Sequence, residues 1–115
     1  MNLILIIHFL LFQNPPTPPL GEWLHKEDSS LIEILSKEDK LYGRLTSTKN
    51  PKYDTESNIL RDFQFCNGTW QGEFYDVNNK RWVKADLIVA KDILLINYKY
   101  GFIEKKFSLI KEPSH

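Results

Sequence analysis

The feature that most constrains this chain is a series of short runs with period-two alternation, each closed by turn residues, from Gly21 to Ile110. Leu41, Gly43 and Leu45 alternate with Tyr42, Arg44 and Thr46, as in a strand with one buried face. Ile32 and Ile34 likewise oppose Leu31, Glu33 and Leu35. No window sustains the 3.6-residue period of an amphipathic helix. Asn67-Gly68 stands between two such runs and is the strongest short hairpin signal, because both central residues of a type I′ turn need positive φ.

The predicted strands are Gly21–Lys26, Ser30–Ser36, Leu41–Ser47, Leu60–Cys66, Thr69–Asp76, Arg81–Ala90, Ile93–Tyr100 and Phe102–Ile110. In Leu60–Cys66, strict alternation sets Leu60, Asp62, Gln64 and Cys66 against Arg61, Phe63 and Phe65. Residues 48–58 are the longest polar stretch and read as a loop with room for one helical turn. Seven to eight short antiparallel strands in a meander would leave exposed edges, and closure into an up-and-down barrel removes them. The expected fold is therefore all-β, a small antiparallel barrel over residues 21–112. A β-sandwich needs long crossovers, for which only residues 48–58 offer length. An outer-membrane barrel is opposed by charges within the strands, such as Lys84, Asp86, Lys105 and Lys106.

Every acidic and basic side chain follows residue 21, so the first 20 residues are a different material. Leu3–Phe12 is an apolar run broken only by His8. It is too short to span a bilayer, which takes about 20 residues, but has the length of a signal-peptide core. Residues 1–13 are read as a signal peptide, despite a weakly charged start and no small-x-small cleavage site. That reading implies an exported protein, periplasmic or secreted, with no membrane span after removal. Residues 14–20 hold four of the six prolines and read as a semi-rigid spacer.

Equal numbers of basic and acidic residues, 15 each, give a net charge of zero and argue against nucleic-acid binding. The single cysteine, Cys66, excludes an intramolecular disulfide and is expected to be a small buried residue. His25 is the one histidine within the expected domain before the last residue, and reads as hydrogen-bonded rather than metal-ligating. Asp76-Val77-Asn78-Asn79 lacks the length of a calcium loop and reads as a turn. No nucleophile motif, phosphate loop or paired carboxylates stand out, so the sequence points to no catalytic residue, no metal and no cofactor.

Gly21-Glu22-Trp23 at the head of the first strand resembles the G-x-W signature of lipocalins and calycins, in which the tryptophan plugs one barrel end. Taken with Ser30–Ile34 and the Gly43-centred Leu41–Leu45, it is similar to the bacterial domain-of-unknown-function family 2147. Asn58-Ile59-Leu60 with Phe63, and then Trp70-x-Gly72-x-x-Tyr75-Asp76, Asn79-Lys80-x-Trp82, Ala85-Asp86-Leu87 and Leu94–Gly101, extend the likeness. The chain departs from the family pattern at Val77 for proline, Asn79 for glycine, Trp82 for tyrosine and Phe107 for a terminal tryptophan. The resemblance implies a small exported lipocalin-like barrel, with Gly21, Trp23, Gly43, Trp70, Gly72 and Asp76 as structural positions. It implies no activity.

Two functions follow as expectations. One is binding of a small apolar or amphipathic molecule, with Tyr42, Tyr75, Trp82 and Tyr98 lining the mouth of a cavity of at least roughly 300 Å³. The other is a structural or protein-interaction component of the cell envelope with a filled barrel. Catalysis ranks behind both.

Overall fold

A computed structural model describes residues 16–112. It holds eight strands: β1 (Gly21–His25), β2 (Ser30–Lys37), β3 (Lys40–Ser47), β4 (Asn58–Cys66), β5 (Thr69–Asp76), β6 (Arg81–Ala90), β7 (Ile93–Tyr100) and β8 (Ile103–Lys111). Each pairs antiparallel with the next, and β1 pairs with β8, so the sheet closes as an up-and-down barrel. The seam is short, with Trp23 opposite Lys111 and Leu24 opposite Ile110. The Glu112 N–H also donates to the Glu22 carbonyl at 3.0 Å. The apolar 1–13 stretch lies outside the described residues.

Tight turns set the register at one end. Glu38 and Asp39 both take positive φ, 53° and 66°, and Asn67-Gly68 does so at 52° and 87°, as a type I′ hairpin requires. Gly101 at φ 62° opens a two-residue turn at the other end, where a strand break was expected, and Tyr100 pairs directly with Ile103.

The inner faces of the strands form one core around Ile34, Leu41, Phe63, Leu87, Leu94, Ile96 and Leu109, all almost fully buried. Strict alternation fails in β4. Register shifts between β3 and β4, and between Arg61 and Gln64 against β5, mark β-bulges. Asp62 sits at φ 57° within this stretch. Ile59, Leu60 and Phe63 are consequently all buried; Phe65, opposite the buried Trp70 and packed edge-on against it, lies partly exposed at the barrel end, whereas Cys66 faces outward. The expectation of a buried Cys66 is thus corrected; the side chain lies at an exposed strand end beside the Asn67-Gly68 turn.

Two glycines make room for the β4 side chains. A Cβ on Gly72 would fall 2.6 Å from Cγ of Phe63, and one on Gly43 would fall 2.7 Å from Cδ1 of Leu60. Trp23 and Trp70 are buried at the end bearing the Asn67-Gly68 turn, which we call the closed end. The Trp23 indole N–H donates to the Pro19 carbonyl at 3.0 Å. Pro19 is buried, and the Lys111 ammonium donates to the Leu20 carbonyl at 2.7 Å. Pro19 and the Leu20 carbonyl therefore tie the end of the Pro-rich stretch to the barrel, while Pro16 and Thr17 are exposed.

Candidate functional site

The other end of the barrel is open and carries a cavity of about 610 Å³. Ile32, Leu45 and Ile59 form an apolar floor and Phe74, Tyr98 and Phe107 an aromatic wall. Ring centroids lie 5.0 Å apart for Phe74 and Tyr98, 5.2 Å for Phe74 and Phe107, and 6.2 Å for Tyr98 and Phe107. Ile32, Leu45, Phe74, Tyr98 and Phe107 come from inward positions of their strands, so alternation delivers them, whereas Ile59 turns inward beside Leu60 at the β3–β4 register shift.

Three connections build the polar rim. In the β1–β2 turn, Asp28 accepts from the Ser30 N–H at 3.1 Å and pairs with His25 Nδ1 at 2.9 Å. The His25 ring also packs edge-on against Phe107, with centroids 5.3 Å apart. Burial works against ionisation of Asp28, but the hydrogen bonds from Ser30 and His25, and the His25 charge, outweigh it. Its carboxyl is held below the usual carboxylate range.

Residues 48–57 form the second connection, made of turns and bends with no helical turn. The Lys49 N–H donates to the Asp28 carbonyl at 3.1 Å, and Ser30 and Thr48 hydroxyls share a hydrogen bond of 2.7 Å. Glu56 N–H returns to the Leu45 carbonyl at 2.7 Å. These ties lay Tyr53 against the core at the cavity rim. The third connection is the β5–β6 turn, where Asp76 accepts from Asn78 N–H at 3.1 Å and Asn79 Nδ2 at 2.6 Å. Asp76 is only 6% exposed. Lys52 Nζ joins the loop to this turn by donating to Asn78 Oδ1 at 2.8 Å.

Burial first, and then the charges of Asp28 and Asp76 among its neighbours, push the Tyr53 hydroxyl up to about 12. Tyr98 is raised by burial and by Asp76. The folded protein therefore holds the Tyr53 proton more tightly than the unfolded chain, whose tyrosines titrate near ~10. The associated stability is intact below that pH and is lost as pH rises from about 10 to about 12. We expect urea midpoints to fall across this window and the fall to be shallower in Tyr53→Phe, with Tyr98 leaving a remainder. A midpoint constant from pH 9 to 12 would contradict this placement of Tyr53.

Of the four tyrosine and tryptophan positions expected at the mouth, Tyr98 lines the cavity. Tyr75 and Trp82 come together on the outer face, with ring centroids 5.4 Å apart. They border a separate groove of about 660 Å³ between the 48–57 loop and the β5–β6 turn. Arg61 covers the Trp82 ring at 4.0 Å and pairs with Glu73 at 2.9 Å, which occupies much of that aromatic surface. Tyr42 is apart from all three and donates to Asp62 at 3.1 Å, a bond that raises its own hydroxyl pKa. Register explains the split, because Tyr42, Tyr75 and Trp82 have the outward parity of their strands and Tyr98 the inward one.

Sequence reasoning missed His25, Asp28 and Tyr53 as a group. The first two join only through the reversal at Ser29, φ 55°, and Tyr53 reaches the rim only through the fold of its loop. Phe74 and Phe107 carried a usable signal, since each shares the inward parity of its strand. Among the described residues no group of three or more His, Cys, Asp and Glu side chains is placed to hold a metal ion. No helix among them is long and apolar enough to cross a membrane. No protein-family model matches the chain, and no curated protein matches it.

Proposed function

We propose that this protein binds a small amphipathic molecule in the open end of its barrel, in the manner of a lipocalin. The observation that carries this reading is the 610 Å³ cavity with an apolar floor and a rim of hydrogen-bonding groups. Small-molecule sites typically occupy about 300–1,000 Å³, and an eight-stranded barrel is just wide enough for one small ligand. The order of motifs resembling family 2147, and the apolar 1–13 stretch, support an exported protein of that kind. Binding is favoured over catalysis because the rim side chains engage one another: Ser30 bonds Thr48 rather than His25, and Asp28 serves the turn.

The outer face favours a second reading, a protein-interaction role. Ile88 stands opposite Leu95 there, and Ile93 opposite Ile110, with Ile88 and Ile93 exposed. The first reading is tested by calorimetric titration with 1-octanol. We expect saturable binding to the parent chain, and its loss in Ile59→Trp, whose indole fills the floor, with a cooperative melting transition as the check that the variant is folded. Equal binding by both proteins would place the alcohol elsewhere and refute the reading.

A further inference from the structure

The cavity lining gives it a preference for charge. We propose that it takes an organic cation: an amphiphile whose ammonium head, primary or quaternary, lies among Asp28, Asp76 and the aromatic wall, with its tail on Ile32, Leu45 and Ile59. This rests on the cavity being a binding site at all.

The charged or titratable groups facing the cavity are Glu27, Asp28, Asp76, His25, Lys105 and Lys106, apart from Tyr53 and Tyr98. The two carboxylates nearest the floor are sheltered from water, Asp76 almost entirely. Asp76 is held by a backbone N–H and a neutral amide, and no lysine or arginine pairs with either carboxylate among the described residues. Lys105 and Lys106 are exposed, and Lys105 turns to the Tyr100 ring, 5.8 Å away. Solvent screens such exposed charges far more than buried ones. Asp28 has the His25 imidazole beside it, but Asp76 is a sheltered carboxylate with only neutral partners, which is costly, and a bound cation would supply its countercharge.

The aromatic wall adds the second element. The faces of tyrosine and phenylalanine rings attract ammonium groups, most strongly where water is excluded. Phe74, Tyr98 and Phe107 converge within about 6 Å of one another, and Tyr53 closes the rim beside them. The raised hydroxyl pKa values of Tyr53 and Tyr98 register the same negative surroundings, after burial. An anionic head would meet Asp28 and Asp76 in this enclosure.

Three probes with one tail separate the possibilities: octyltrimethylammonium, 1-octanol and octanoate, titrated calorimetrically into the full chain at neutral pH. We expect the ammonium to bind about tenfold more tightly than the alcohol, and octanoate to bind weakest. Asp28→Asn and Asp76→Asn, each keeping an acceptor oxygen, should reduce the ammonium advantage several-fold, read as the ratio of ammonium to alcohol affinity within each variant. Should Asp76→Asn fail to fold, the Asp28→Asn comparison and the three-probe ranking still decide. Alcohol binding without an ammonium preference overturns this inference alone, as does a preference that survives in both variants. Binding of none of the three overturns the cavity reading and this inference with it.

Discussion

Phe63→Ala is expected to lower the unfolding free energy by about 3–5 kcal/mol, against a total of about 5–15 kcal/mol for a domain of this kind. Phe63 is fully buried, pairs across from Leu41, and lies directly on the backbone of Gly72. The bulge around Asp62 delivers the ring to that spot, where it fills the space over the Gly72 backbone. Gly72→Ala should be destabilising by about 1–3 kcal/mol, because its methyl group would meet the ring. In the Phe63→Ala background the same change should cost less, since the ring clash is gone while the Arg61 carbonyl still lies 2.7 Å from the new Cβ. Urea unfolding of the four proteins measures this coupling. Additive effects, or a Phe63→Ala cost under about 1 kcal/mol, would be incompatible with this packing.

Trp23→Ala is expected to be comparably severe, again about 3–5 kcal/mol. Trp23 is 3% exposed, caps the closed end, and holds Pro19 through its indole N–H. It also stands at the seam, opposite Lys111, whose ammonium lies 5.1 Å over the ring. Because β1 and β8 meet over so short a register, loss of Trp23 should loosen the seam before the rest of the barrel. Amide exchange should therefore accelerate first at Leu24 and Ile110. Trp23→Phe keeps an aromatic body and gives up the hydrogen bond, so its cost should be nearer about 1–2 kcal/mol. Uniform acceleration across all eight strands would mean that the seam is not the weak point.

The barrel was legible from period-two runs and turn chemistry, and five of the eight strands begin where alternation places them. Asn67-Gly68 was readable because only residues tolerant of positive φ fit the turn. β4 was misread because a bulge shifts facing without leaving a period in the sequence, so Cys66 was turned inward and Leu60 and Phe63 were placed on opposite faces. The Gly43 and Gly72 positions had a motif signal, but the reason for them, side chains of β4 resting on their backbones, is a contact between distant strands.

The cavity was legible only in part. Parity alone assigns Tyr98 inward and Tyr42, Tyr75 and Trp82 outward, and aromatic character without parity gathered all four. His25, Asp28 and Tyr53 meet through loop hydrogen bonds such as Lys49 to the Asp28 carbonyl, which no local pattern encodes. Location along the barrel axis also matters for any binding assay. Trp23 and Trp70 sit at the closed end and Trp82 on the outer face, so tryptophan emission is a poor reporter of the open end.

Backbone and methyl chemical-shift mapping during a 1-octanol titration decides whether the open end of the barrel receives a ligand, as proposed. Saturable shifts are expected at Ile32, Leu45, Ile59, Tyr98 and Phe107, with Leu41, Leu87 and Leu94 at the packed end unmoved. Shifts confined to the outer strip of Ile88, Ile93 and Leu95, or none at saturating alcohol, would contradict the proposal.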